Sequence, residues 1–98
     1  MEAIIKNNLK EYNVSVIGRL DTQTSPELEE KLSEIKDFTL LVLDFSKLDY
    51  ISSAGLRLLL KLEKLAKSLN AKLEIININD VVKEIFSVTG FDKVLTIK

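Results

Sequence analysis

Four consecutive apolar residues, Leu40-Leu41-Val42-Leu43, precede a segment in which leucine recurs at helical spacing, at positions 58, 62, 65 and 69. An unbroken apolar run this short reads as a strand covered on both faces, as in a parallel sheet. The leucine stripe, flanked by Leu59 and Ala66, reads as an amphipathic helix with one face in a core. A strand feeding such a helix commits the chain to a layered α/β architecture.

The flanking segments extend the pattern. Ala3-Ile4-Ile5 and Val14-Ser15-Val16-Ile17 read as two strands of a hairpin, with Asn7-Asn8 as the turn signal and Gly18 ending the second run. Ser25-Pro26 marks a helix start, with serine as cap and proline preset for the first turn. Leu28, Leu32 and Ile35 follow as its buried stripe. Ser46-Lys47-Leu48-Asp49 reads as a polar turn leading to Tyr50-Ile51. Asn70 ends the long helix, and Leu73, Ile75, Ile76 and Ile78 form the next strand. Asn79 or Asp80 caps a helix carrying Val82, Ile85 and Phe86, Gly90 terminates it, and Val94, Leu95 and Ile97 close the chain as a strand. The expected order is ββαβαβαβ, a mixed sheet with an N-terminal hairpin followed by alternating helices and strands, in one domain over residues 1–98.

Composition removes several functions. The 98 residues contain neither histidine nor cysteine. Zinc sites built on imidazole or thiolate are excluded, as are Ser-His-Asp and Cys-His nucleophile systems. The three glycines, at 18, 55 and 90, are too dispersed for a P-loop or a dinucleotide fingerprint. With 14 basic and 15 acidic residues the formal net charge is -1, so the chain lacks the basic excess of a nucleic-acid binder. Met1-Glu2-Ala3-Ile4-Ile5-Lys6 has no basic stretch leading into a long apolar run, and no segment is long enough to span a bilayer. A cytoplasmic protein without membrane contact, metal, cofactor or catalytic residues is expected.

The segment Tyr50-Ile51-Ser52-Ser53-Ala54-Gly55-Leu56 is the most distinctive. It sets two hydroxyls, a small residue and a glycine where a helix begins, and helix N-termini favour anions. A phosphate on Ser53 would sit beside free amides, and glycine at 55 would leave bare backbone for another surface to approach. The plainer reading is a serine cap with a glycine packed against a strand. Asp21, at a strand end, is expected near this loop, or else bonded to its own backbone. Arg57, Lys61 and Lys64 form a basic stripe that reads as a solvated face or, less simply, as a dock for an acidic partner. Asp44 resembles the phosphoacceptor of a receiver domain in position only, because no acidic pair accompanies it, and a turn role suits it better.

Four stretches, VSVIGRLDTQTSPELEEKL, LLVLDFSKLDYISSAGLRLLL, AKLEIININDVVKEIF and VTGFDKVLTI, occur in the order found in STAS domains of the bacterial anti-sigma factor antagonist type, which this chain resembles. The resemblance implies a non-enzymatic binding module. It binds an anti-sigma factor serine kinase, which frees a sigma factor, and phosphorylation of one serine by that kinase ends the binding until a protein phosphatase resets it. By position the phosphoacceptor is Ser53. Ser52 stands where the family often has aspartate, which removes a carboxylate and makes Ser52 an alternative acceptor. Asp21, Ser52, Ser53, Ala54, Gly55 and Arg57 are the expected partner-binding residues. STAS-like domains also serve as unphosphorylated adaptor or scaffold subunits of signalling and lipid-transport assemblies, which is the alternative role.

Overall fold

A computed structural model describes all 98 residues. Strands β1 (Glu2–Asn8) and β2 (Glu11–Leu20) pair antiparallel, from Glu2 opposite Ile17 to Asn8 opposite Glu11. The turn therefore falls on Leu9-Lys10 and not on Asn7-Asn8. Leu9 takes the left-handed conformation, φ 57°, that a two-residue hairpin loop demands of its first residue.

Helix α1 (Ser25–Leu32) leads to β3 (Leu40–Asp44) and β4 (Leu48–Ile51). Helix α2 (Ser53–Ser68), β5 (Lys72–Ile76), α3 (Asp80–Thr89), a 3-10 turn (Phe91–Lys93) and β6 (Thr96–Ile97) complete the chain. The sheet runs β1-β2-β3-β5-β6, with all pairs after the hairpin parallel. This is the expected mixed sheet, with one strand more than the expected order: Leu48–Ile51, read partly as a polar turn, is strand β4.

The ten-residue β2 makes room for β4. Its first half pairs with β3 as far as Ser15 opposite Asp44, and its last three residues pair with β4. The register shifts between Gly18 and Arg19, and Gly18 holds φ 105°, a conformation open to glycine, so the strand kinks there and continues. Gly18 thus bends the strand and does not end it.

One face of the sheet is buried. Val14 and Val16 of β2, Leu41 and Leu43 of β3, and Leu73 and Ile75 of β5 join Leu58, Leu59, Leu62 and Ala66 of α2 in a single core with Leu28, Leu32, Phe38, Val82 and Phe86. The alternate residues Ser15, Ile17, Val42 and Ile76 are only partly covered, and Ile4 is exposed. This corrects the reading of Leu40–Leu43 as covered on both faces; the run alternates in burial although every residue is apolar. The helical stripes also depart from what their spacing suggests. Helix α1 stops at Leu32, so Ile35 reaches the core from the loop, and Leu65 of α2 is exposed because the contact face runs through Leu58, Leu59, Leu62 and Ala66. Ile78, Val94 and Leu95 lie outside strands.

The C-terminal end of α2 and both ends of α3 are built as the sequence suggests, while the serine caps read at the starts of α1 and α2 do not form. Asn70, φ 55°, follows α2 while Ala71 N–H donates back to Ala66 O at 2.8 Å, a Schellman closure. Asn79 caps α3 by accepting from Val82 N–H at 2.8 Å, and Gly90 ends it at φ 79°. Ser25 does not cap α1. The cap position is Thr24, and Ser25 is buried in the first turn with its hydroxyl unpaired.

Candidate functional site

The ends of β2 and β4 lie side by side, with Leu20 opposite Ile51. Ser52 N–H donates to Leu20 O at 2.8 Å, which ties the entry of α2 to the residue just before Asp21. Asp21 and the Ser52-Ser53 turn therefore meet at one edge of the domain, as expected for strand ends and helix starts.

Ser52 is extended (φ -96°, ψ 178°), and its carbonyl accepts the first α2 bond, from Leu56 N–H at 3.0 Å. Its hydroxyl does not cap the helix; it is enclosed and has no partner. Ser53, the first residue of α2, is exposed. Ala54 is half-buried. Gly55 is buried, and a Cβ there would lie 2.6 Å from Ile51 Cγ1 and 3.0 Å from Leu20 Cβ. Its bareness serves close packing of α2 on the ends of β4 and β2. This corrects the expectation that glycine at 55 offers backbone to another molecule, because the missing side chain faces inward.

Asp21 organises its own loop. Its Oδ1 accepts from the backbone N–H groups of Gln23 and Thr24, both at 3.0 Å. Thr24 Oγ1 accepts from Asp21 N–H at 2.9 Å and donates to Arg19 O at 2.7 Å. The Thr24 amide, aided by Gln23, the Thr24 hydroxyl and the Arg19 charge, holds the Asp21 carboxyl below the usual carboxylate range against a desolvation that opposes it. Arg19 Nε stands 4.0 Å from Asp21 Oδ2, and the guanidinium lies over the Tyr50 ring, 4.8 Å from its centroid. Tyr50, Arg19 and Asp21 thus form a row beside the Ser53 turn. Sequence reasoning missed Arg19 and Tyr50 as partners, because the stacking depends on β4 being a strand beside β2.

On the other side, Ala54, Arg57, Leu58 and Lys61 of α2 face Ser25 and Glu29 of α1 across a shallow groove. Lys61 Nζ is hydrogen-bonded to Glu29 Oε2. Arg57 is exposed and takes part in no ion pair. Asp44 has a turn role: Oδ1 accepts from Ser46 N–H at 3.0 Å and Asn77 Nδ2 at 3.2 Å. No cluster of three or more acidic side chains could hold a metal ion, and no helix is long and apolar enough to cross a membrane.

The chain is similar to known proteins over most of its length. The STAS domain model matches residues 3–98. The chain is 34% identical over 83 residues to the anti-sigma-B factor antagonist of Staphylococcus aureus, covering 83% of this chain and 77% of that one. Among relatives of this identity the aligned stretch spans 66% to 77% of their own length. An anti-sigma factor antagonist from Mycobacterium paratuberculosis superposes with a TM-score of 0.84 at 25% identity, over 98% of this chain and 83% of the other. SpoIIAA in its unphosphorylated form superposes with a TM-score of 0.84 at 17% identity, over 99% of this chain and 88% of that one, a likeness of fold.

Proposed function

Because this chain belongs to the STAS domain family and its relatives are anti-sigma factor antagonists, we propose that it binds an anti-sigma factor serine kinase and that phosphate on Ser53 ends the binding. One observation carries the reading. Ser53 is an exposed hydroxyl on the first residue of a helix whose next turn, Gly55 and Leu56, is buried in the core.

The kinase transfers the γ-phosphoryl group of ATP to Ser53 Oγ. The new P–O bond replaces the one to ADP, and the hydroxyl proton leaves to a base of the kinase. The product carries about -1.5 to -2 charge at neutral pH. At the start of α2 that charge meets the positive end of the helix dipole, which favours it. The fold is left whole, while repulsion and the cost of dehydrating the phosphate act at the interface. What favours Ser53 over Ser52 as acceptor is access, since the Ser52 hydroxyl is enclosed.

Asp21, Ser53, Ala54 and Arg57 border the docking face, and Ser52 contributes its backbone position. A protein phosphatase resets the module in the cytoplasm. The chain works without enzymatic activity or nucleic-acid contact. Ser53→Ala should abolish phosphate uptake from the cognate kinase with ATP, and Ser53→Asp should weaken binding of the same kinase. Undiminished uptake by Ser53→Ala would contradict the assignment.

A further inference from the structure

We propose that Arg57 receives the phosphate of phosphorylated Ser53 within the same chain, forming an internal clamp along the first turns of α2. The inference rests on Ser53 being the acceptor and adds how the modified state is held.

Ser53 and Arg57 are four residues apart in one helix, both exposed, so their side chains are neighbours on its surface. The order is the favourable one, with the anion N-terminal to the cation. Arg57 is also free to respond. Its neighbours one turn away on α2 are Ser53, Ala54, Leu60 and Lys61, none acidic, and the first turn of α2 carries no acidic residue. Across the groove, the Glu29 carboxylate is taken by Lys61. The other cation at this edge, Arg19, is stacked on Tyr50 beside Asp21. Phosphate on Ser53 supplies the anion that Arg57 lacks. A guanidinium suits it, because its fork of N–H donors matches two phosphate oxygens at once.

The clamp has a consequence for docking. In the unmodified chain Arg57 is available to an acidic group of a partner. In the phosphorylated chain it is engaged internally, so one modification adds a repelling charge and withdraws an attracting one.

The test uses full-length chain with phosphoserine installed at position 53 during synthesis, in wild type, Arg57→Gln and Arg57→Lys forms. The phosphorus resonance is titrated with pH. Pairing with Arg57 favours the dianion, so the second phosphate pKa should be lower in wild type than in Arg57→Gln by about 0.3 unit. Arg57→Lys should recover part of the difference, and about 1 M salt, with a screening length near 3 Å, should erase it. Superimposable titrations of wild type and Arg57→Gln at low salt would overturn the clamp. Because phosphoserine is built in, that result is separate from the kinase assay: a kinase that ignores Ser53 strikes the switch, and equal titrations strike the clamp alone.

Discussion

Gly55 packs directly against Ile51, so closely that a Cβ at 55 would lie 2.6 Å from Ile51 Cγ1. The helix that begins at Ser53 is therefore seated on the end of β4 by the absence of a side chain. Gly55→Ala should destabilise the protein in urea unfolding by about 1–2 kcal/mol, because overpacking at a fully buried isoleucine outweighs a gain of up to about 1 kcal/mol in helix propensity. Ile51→Ala, which removes Cγ1, should alone cost about 2–5 kcal/mol. Combined with Gly55→Ala it should cost less than the sum of the two, and strict additivity would contradict the contact.

Ser52 occupies a cap position without capping. Replacing a capping serine by alanine usually costs about 1 kcal/mol, but the Ser52 hydroxyl is buried without a partner, so Ser52→Ala should change stability by less than about 0.5 kcal/mol. A loss of the full capping size would mean that the hydroxyl holds an amide of the first turn in solution.

Asn79 is the contrasting case. Its Oδ1 accepts from Val82 N–H, and its Nδ2 donates to Leu48 O at 2.9 Å, which joins α3 to β4. Asn79→Ala should cost about 2 kcal/mol in the same assay, and Asn79→Asp, which keeps the cap and loses the donor, should fall between alanine and wild type.

Acid should weaken the fold through Asp44 and Asp21. Burial pushes the Asp44 carboxyl upward, but hydrogen bonds from Ser46 and Asn77 with the Lys47 charge more than offset it, leaving the group below its usual range. Asp21 lies below its usual range chiefly through the Thr24 amide. A carboxylate with a depressed folded pKa stabilises above its unfolded value, and that contribution is lost as pH falls through the folded value. Melting temperature should be flat from neutral pH to about pH 5 and should fall below about pH 4. Asp44→Asn should lose less than wild type over the acid range, and identical acid profiles would show that Asp44 does not contribute.

The hairpin, the three helices and strands β3 and β5 were legible because each depends on local pattern: apolar runs for β2, β3 and β5, leucine spacing for α2, and Asn79 and Gly90 at the ends of α3. Strand β4 was hidden because Leu48–Ile51 is only four residues long, follows a polar turn and shows no regular alternation, and its pairing depends on the kink at Gly18, a long-range event. Ser25 followed by proline carries the signature of a cap, yet tertiary packing draws the serine into the core and leaves Thr24 at the cap. At the candidate site, the meeting of Asp21 with the Ser52-Ser53 turn was legible from their places at a strand end and a helix start. The inward role of Gly55 and the Arg19–Tyr50 stack were not, because both require knowing which strand ends lie beneath the helix.

The most direct measurement compares chains with serine or phosphoserine at 53 for affinity toward the same anti-sigma factor, with the far-ultraviolet circular dichroism and melting temperature of each recorded alongside. Binding by the modified chain should be at least tenfold weaker, about 1.4 kcal/mol, with helix signal and melting temperature essentially unchanged. Equal affinities, or a modified chain that loses its helix signal, would contradict the switch.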